Sequence, residues 1–386
     1  MFLSLVFLEC ALHIFPTLLP MGFWHSIHAV ELSGKETLYA PDPILEHRAI
    51  PDIFTIEGTE ETTHNIRTHS LTEFPDWGWR TDPYDPLKKL NSIILGDSFA
   101  YGYGVEQNET TAGLLQNYLT KKNQQILNLG LSNLTGSLQY EIIFDHVIEH
   151  YEPKNLIIFH FENEYLDNLF FDCWKTLQNS AFGGIHFPYS RILYRDVIDP
   201  RTPPTETKHN KPPVQQISFP SFGSLWAIAQ DHSLLKKFIK YKIQNSKIQN
   251  SKNYFRNEFC SYVFPNGEKL GPNEPQLQKG YDLDSNAMTR IIRKSKTRGI
   301  NVIVFMIPLK QVVAWVDDFM SPITRDDALY YYEKIKKVCT DEGAIVIDPL
   351  PLWKDVVFTE QLYFEIDGHW TALGHKRAFE LLINRI

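Results

Sequence analysis

Short apolar runs alternate with amphipathic stretches in two parts of the chain, before residue 169 and after residue 275. The apolar runs have the length and continuity of strands buried on both faces, and they lie at 92–97, 124–129, 155–161, 301–307 and 344–347. Helical spacing of apolar residues marks the stretches at about 109–122, 137–150, 284–298, 324–341 and 371–384. This alternation predicts an α/β fold, a doubly wound three-layer α/β/α sandwich with a mainly parallel five-stranded sheet.

Three other segments do not follow the alternation. Residues 1–29 form an apolar N-terminal segment, and residues 30–90 are predicted to be an irregular lead-in whose Trp77-Gly-Trp79-Arg80 stretch packs rather than binds. The third segment, at about 169–275, contains proline pairs and a tandem Lys-Ile-Gln-Asn-Ser repeat. The repeat is too polar to bury, so we interpret this segment as an insertion, either a solvated helix or a disordered loop.

The N-terminal segment is the main indication of location. Residues 1–19 are almost wholly apolar, with Glu9 and His13 as the interruptions, and their length is near the minimum for a membrane span. No basic residues precede the run and no small-x-small cleavage site follows it, unlike a signal peptide. We predict membrane association through this segment, with a buried helix as the alternative.

Composition narrows the class of partner and cofactor. The formal net charge of -8 and the absence of a sustained basic run argue against nucleic acid as a partner. The four cysteines form no CxxC or Cys/His cluster, so neither a metal nor a cofactor is predicted. Cys173 and Cys260 could pair if the protein is exported, and free thiols are the alternative. Composition leaves the oligomeric state unknown.

The first apolar run leads into a candidate nucleophile. It ends in Gly96-Asp97-Ser98 and a glycine-rich turn, which places a serine at the tip of a buried strand. A serine hydroxyl needs a base to take its proton and an acid to orient that base. Asp367 and His369, directly before the last predicted helix, are candidates for these two roles.

Four segments together resemble the GDSL/SGNH hydrolase superfamily, in its bacterial, membrane-anchored type with an Asp-x-His block. They are Gly96-Asp97-Ser98, the stretch from Asn128 to Asn133, the stretch from Phe161 to Glu164, and Asp367-Gly368-His369-Trp370 continued by Gly374-His375. Each motif is weak alone, and their order carries the resemblance. The matching parts cover roughly 90–168 and 276–386, which would make 91–386 one SGNH-like domain interrupted by the insertion.

The resemblance implies a role for each matching residue. Ser98 would be the nucleophile, His369 the general base and Asp367 the residue that orients it. The oxyanion donors would be the backbone N–H groups of Ser98 and Asn133 and the side-chain amide of Asn163. Asn133 replaces the usual glycine, and its backbone N–H can still serve if asparagine adopts the required angles.

Three further positions depart from the family pattern. Phe161 and Glu164 stand where the third block has Gly and Asp, and Ile366 stands where the acid is usually found. Gly136 is a second candidate for the oxyanion glycine. Three other polar residues are interpreted as structural: Asp97 as a cap of the turn, and His160 and His375 as core or helix residues.

The implied activity is a serine esterase or acylhydrolase that acts on ester-linked acyl groups of a small molecule, a cell-envelope glycan or a lipid. A polysaccharide O-acyltransferase with the same triad is the first alternative. A non-catalytic carbohydrate-binding or assembly protein is the second, and it would be indicated if Ser98 and His369 lay far apart. The expected location is a membrane-anchored protein with an extracytoplasmic catalytic domain.

Overall fold

The structure is a computed structural model that describes residues 38–58, 62–132, 135–178, 275–314, 325–357, 359–365 and 368–386. Its strands are β1 (Tyr39–Asp42), β2 (Glu46–Ala49), β3 (Phe54–Gly58), β4 (Thr63–Arg67), β5 (His69–Leu71), β6 (Phe74–Trp79), β7 (Lys89–Gly96), β8 (Gln124–Asn128), β9 (Asn155–Phe161), β10 (Asn301–Ile307) and β11 (Ile345–Ile347). Its helices are α1 (Ser98–Tyr101), α2 (Thr111–Thr120), α3 (Ser137–Val147), α4 (Glu164–Gln178), α5 (Pro275–Thr297), α6 (Lys310–Ala314), α7 (Arg325–Asp341), α8 (Leu350–Val356) and α9 (Ala372–Leu382).

The central sheet confirms the predicted fold class. It has five strands in the order β11-β10-β9-β7-β8, and each neighbouring pair is parallel. The chain moves from β7 outward to β8 and then back across to β9. Right-handed crossovers therefore place α2 and α3 on opposite faces of the sheet. This is the doubly wound order, and its topological switch point lies between β7 and β9, where such folds bind ligands.

The strands form where the sequence predicts them because their side chains are buried on both faces. In β10 every residue after Asn301 is buried, and β9 is buried from Asn155 to His160. The two strands pair in full register from Asn301 opposite Asn155 to Ile307 opposite Phe161. A continuous apolar run of this length has no polar face to present to solvent, so it is stable only inside a sheet covered by helices.

The prediction that residues 30–90 are irregular is wrong for the described residues from 38 onward. They form a four-stranded antiparallel sheet of order β1-β2-β6-β5 and a hairpin of β3 and β4. The sequence does not show the alternation of apolar and polar residues that is typical of such strands, because polar side chains occupy some of the buried positions. In β4 the buried residues are His64 and Ile66, and in β2 both Glu46 and His47 are buried. We call residues 38–80 the N-terminal lobe.

The N-terminal lobe packs on the main domain. Leu71, Trp77 and Trp79 belong to the same hydrophobic cluster as the strands of the central sheet. Arg80, which directly follows β6, is buried as well. The tryptophan-rich segment therefore packs, as predicted, and the N-terminal lobe covers part of the main domain instead of leading into it.

Two predicted segments fall largely outside the described residues. All of 1–29 does so, and so does the insertion between 179 and 274, including Cys260 and the side chain of Cys173. The first residues assigned to the insertion are helical, because α4 continues to Gln178 and packs against α5. Across the described ranges, no helix is both long enough and apolar enough to span a membrane.

Candidate active site

Ser98 lies at the carboxyl edge of the central sheet, two residues after the end of the switch-point strand β7. The turn before it requires glycine, since Gly96 has a φ of 154° and a Cβ there would lie 2.6 Å from the Cβ of Ala100 and 2.9 Å from that of Phe159. Asp97 then caps α1, accepting a hydrogen bond of 3.0 Å from the backbone N–H of Phe99. Ser98 is thus the first residue of α1, and its own N–H has no intrahelical acceptor.

The structure brings His369 to this serine. The Nε2 atom of His369 lies 2.6 Å from the Oγ of Ser98, although 271 positions separate the two residues. With the ring proton on Nδ1, Nε2 accepts a hydrogen bond from the hydroxyl, which is the arrangement of a general base with its nucleophile. Both side chains are half-buried, so the pair remains accessible from the edge of the sheet.

A short, anchored loop presents His369. Before it, Tyr363 forms an isolated antiparallel bridge to Trp370, and the Trp370 side chain is fully buried against Phe305 and Trp353. After it, the hydroxyl of Thr371 caps α9 by accepting from the N–H of Gly374. His369 therefore directly precedes a buried tryptophan and a capped helix, and both fix the position of its backbone.

Two predicted site residues lie outside the described part of the chain. Asp367 and Asn133 both fall in gaps, so their roles as orienting acid and oxyanion donor stay predictions. The second oxyanion candidate, Gly136, is unsuited to that role. Its backbone N–H donates a hydrogen bond of 2.9 Å to Oε1 of Gln139 as part of the α3 cap.

Asn163 lies on the other side of the switch point, in the turn between β9 and α4. Its Nδ2 donates to Oδ2 of Asp167 at 3.0 Å, which fixes which end of the amide carries the hydrogens. The second amide hydrogen remains for another acceptor. Asp167 is a residue that the sequence analysis missed, and its spacing of four positions on a helix is the signal that could have revealed it.

The residues interpreted as structural are buried. Burial raises the pKa of Asp97 to about 6, and the residue serves as the cap described above. Burial lowers the pKa of His375 to about 3, and its Nδ1 accepts a hydrogen bond of 3.2 Å from the N–H of Thr111. His375 is therefore neutral and joins α9 to α2, as a structural histidine would.

A second histidine cluster lies in the core. His160 Nε2 is 2.9 Å from Oδ2 of Asp284 and 3.7 Å from Oε2 of Glu164, and the hydroxyls of Tyr331 and Tyr140 donate to the two acids. All of these side chains are buried. His160, Glu164 and Asp284 offer ligand atoms within 4.8 Å of one another and could hold a cation.

The pKa values of the two acids of this core cluster are shifted in opposite directions. Burial alone would raise the pKa of Asp284, but the neighbouring His160 and its hydrogen bond bring it below the usual value. Burial, with the nearby charges of Asp284 and Asp97, raises the pKa of Glu164 well above its usual value. These opposite shifts disfavour two negative charges buried side by side.

Comparison with known proteins gives remote structural matches. No family model and no curated protein matches the chain. Among solved structures, a member of the lipolytic G-D-S-L family from Veillonella parvula is similar at 10% identity and a TM-score of 0.39, covering 77% of this chain and 98% of its own. An acetyl xylan esterase, AlAXEase, is similar at 10% identity and a TM-score of 0.39, covering 76% and 99%. An acetylxylan esterase from Geobacillus stearothermophilus has 10% identity and a TM-score of 0.38, covering 77% and 93%.

At such low sequence identity and TM-score, these matches show a structural resemblance and carry no argument about function. The fold class follows from the strand order of the central sheet. The chemistry of the site follows from the contact between Ser98 and His369.

Proposed function

We propose that this chain is a serine esterase or acylhydrolase of the GDSL/SGNH hydrolase superfamily. The observation that carries the proposal is the 2.6 Å contact between Oγ of Ser98 and Nε2 of His369 at the switch point of the sheet. It joins the first and last segments of the family resemblance in space. The same contact speaks against the non-catalytic alternative, for which the two residues would lie far apart.

The proposed reaction proceeds through an acyl-enzyme. Oγ of Ser98 attacks the acyl carbonyl while His369 accepts the hydroxyl proton, and His369 then gives that proton to the leaving alcohol. Water attacks the acyl-enzyme in the second half, with His369 again as base, and releases the acid and free Ser98. Asp367 is proposed to keep the imidazole in the tautomer with its proton on Nδ1.

The oxyanion is proposed to form at the amino end of α1, near the switch point. Its donors are the backbone N–H of Ser98, the remaining amide hydrogen of Asn163, and the backbone N–H of Asn133. Support for Asn163 comes from its hydrogen bond to Asp167, which holds the amide in one orientation before substrate arrives. Such fixed donors stabilise the charge that develops in the transition state without further reorganisation.

A serine-directed fluorophosphonate tests the mechanism. The wild-type chain should be labelled at Ser98 and should hydrolyse p-nitrophenyl acetate, whereas the Ser98→Ala chain should do neither. Full turnover by Ser98→Ala would show that the serine mechanism is wrong. The fluorophosphonate needs no knowledge of the natural acyl group, so the result does not depend on the choice of ester.

The acceptor of the acyl group requires a separate measurement. We propose an ester on a cell-envelope glycan or lipid as the substrate, and the Asp-x-His spacing of Asp367 and His369 keeps polysaccharide O-acylation as the second candidate. Incubation with p-nitrophenyl acetate and a soluble oligosaccharide separates the two. Acetate alone indicates a hydrolase, and an acetylated oligosaccharide found by mass spectrometry indicates transfer.

A further inference from the structure

The imidazole of His369 is in contact with two aromatic rings from the segment that follows the nucleophile. The ring centroid of Phe99 is 4.9 Å from that of His369, and the centroid of Tyr103 is 4.7 Å from it. Both aromatic side chains are buried. The family resemblance gives a role to neither residue. The position of the base therefore depends on residues of the glycine-rich turn as well as on its own loop.

The backbone that carries Tyr103 is flexible by composition. Gly102 and Gly104 flank it, with φ values of 85° and 89° that few other residues adopt. Glycine loses more conformational freedom on folding than any other residue, so contacts that fix this turn are needed to offset that loss. The N–H groups of Gly102 and Tyr103 both donate to the carbonyl of Ser98 at 2.9 Å, and further contacts come from outside the turn.

Arg80 of the N-terminal lobe supplies these contacts. Its guanidinium donates hydrogen bonds to the backbone carbonyls of Tyr101 at 3.2 Å, Gly102 at 2.5 Å and Val105 at 2.6 Å. The side chain is only 2% exposed. Burying a guanidinium is costly unless its donors are satisfied, and here its rigid fork binds carbonyls on both sides of Tyr103.

Residues of β4 support Tyr103 directly. The N–H of Gly104 donates to Nε2 of His64 at 3.4 Å, and the rings of His64 and Tyr103 meet edge to face at 5.9 Å. Ile66 packs with Tyr101 and Tyr103 in a small apolar cluster separate from the main core. The N-terminal lobe thus holds the turn through both its backbone and its tyrosine ring.

We propose that Tyr103 is a positioning residue for the general base, with its ring fixing the imidazole of His369 toward Ser98. Arg80 and His64 fix the position of Tyr103, so the N-terminal lobe contributes to the active site indirectly. This inference rests on the proposed serine mechanism. Displacing a reacting group by about 1 Å can lower a rate on the order of 100-fold, so a ring that fixes the imidazole affects turnover more than binding.

The test compares variants that keep or remove the ring. Tyr103→Met fills similar apolar space without a ring, and Tyr103→Phe keeps the ring and removes the hydroxyl. We expect Tyr103→Met to lower kcat and the rate of fluorophosphonate labelling about 10- to 100-fold, with KM nearly unchanged. Tyr103→Phe should restore both rates to within about twofold of wild type. Equal rates for wild type and Tyr103→Met would overturn the proposal, and so would a Phe variant as slow as the Met variant.

Tyr84→Leu is the matched control. Tyr84 makes an edge-to-face contact of 4.9 Å with Tyr151 and has no ring contact with His369. Each rate is taken per folded molecule, from the amplitude of thermal unfolding. Tyr84→Leu should be labelled at the wild-type rate. A loss equal to that of Tyr103→Met would mean that any tyrosine lost from this region slows the enzyme, which contradicts a specific role for Tyr103.

A measurement on the wild-type protein covers the case in which the Tyr103 variants fail to fold. Nuclear Overhauser effects between the ring protons of Tyr103 and His369 should be observed, and their absence would overturn the proposal. The two hypotheses fail differently. An unlabelled wild-type Ser98 rejects the serine mechanism, whereas a labelled Ser98 with a Met variant of equal rate rejects only the positioning role.

Discussion

Two histidine pairs in the described part of the chain have similar contact distances but lie at different depths. In one, His369 lies 2.6 Å from the hydroxyl of Ser98 at the edge of the sheet, and both residues are half-buried. In the other, His160 lies 2.9 Å from Asp284 in the core, enclosed by tyrosines and helices. Hydrogen bonding to an imidazole is common to both. A nucleophile, and access for a substrate to reach it, are found only at the sheet edge.

The comparison shows that the groups around a histidine determine its role. The buried carboxyl group of Asp284 stabilises a fixed, closed cluster with His160, because removing either partner would leave the other polar group without its hydrogen bond. In the proposed mechanism, Ser98 gives its proton to His369 only during the reaction. We therefore expect substitutions at the edge to change rate without changing stability, and substitutions in the core to do the reverse.

The largest expected effect comes from breaking the edge pair. Ser98→Ala and His369→Ala should each lower kcat for p-nitrophenyl acetate by about 10⁴-fold or more, because the nucleophile or its base is lost. The melting temperature should change little, since neither side chain is fully buried. Steady-state kinetics and thermal unfolding measure the two quantities. A large fall in melting temperature with residual activity would place His369 with His160 among the structural histidines.

The next largest effect comes from breaking the core pair. Asp284→Ala should lower the free energy of unfolding by about 3–5 kcal/mol, because it leaves His160 and the hydroxyl of Tyr331 without their acceptor. Urea denaturation measures this change. Arg293→Ala, on the same helix but in an exposed ion pair with Glu342, is the control and should leave the urea midpoint nearly unchanged. A stable Asp284→Ala protein with lost activity would refute the structural assignment.

The third prediction concerns Asn163, which lies three residues after His160 in the turn before α4. Asn163→Ala should lower kcat by about 10²–10³, equivalent to roughly 2.7–4 kcal/mol, because one oxyanion donor is lost. KM and melting temperature should change little. Asp167→Ala should lower kcat less, since the amide remains but loses its orienting partner. If instead stability drops and activity per folded molecule stays near wild type, Asn163 belongs with the core cluster.

The smallest effect, taken per pH unit, is a change in how the free energy of unfolding depends on pH when His375 is replaced. Its pKa of about 3 in the folded protein lies below the ordinary value, so between about pH 6.5 and 3 the unfolded state binds the extra proton. Wild-type stability should therefore fall on acidification by about 1.4 kcal/mol per pH unit more steeply than that of His375→Gln. Subtracting the two urea-denaturation series removes the shared contributions of Asp97 and Glu46. Parallel curves would show that His375 is protonated in the folded protein.

The sequence predicts the central sheet well because its strands are long apolar runs. The prediction for 301–307 agrees with β10 (Asn301–Ile307), and that for 155–161 agrees with β9 (Asn155–Phe161). The strands of the N-terminal lobe cannot be predicted in this way, because β2 and β4 are short and bury charged and polar side chains. Only tertiary contacts, such as that of His64 with the N–H of Gly104, explain why those positions face inward.

The candidate site is predictable where a motif carries it. Ser98, His369 and Asn163 follow from short segments, and the structure places the first two in contact. Tyr103 and Arg80 have no local signal, because their importance arises from contacts between segments that are distant in the chain. Asp367 and Asn133 remain predictions from the motifs.

The long separation between Ser98 and His369 has a consequence for protein synthesis. The nucleophile, its strand and its helix belong to the first part of the sheet to leave the ribosome, while the base follows 271 positions later. His369 directly precedes α9, and α9 packs on α2 through contacts that include the hydrogen bond from the N–H of Thr111 to His375. In the proposed mechanism, a nascent chain therefore carries an unactivated serine until His369 has been made. Activation of Ser98 is thereby tied to the packing of α9 on the main domain.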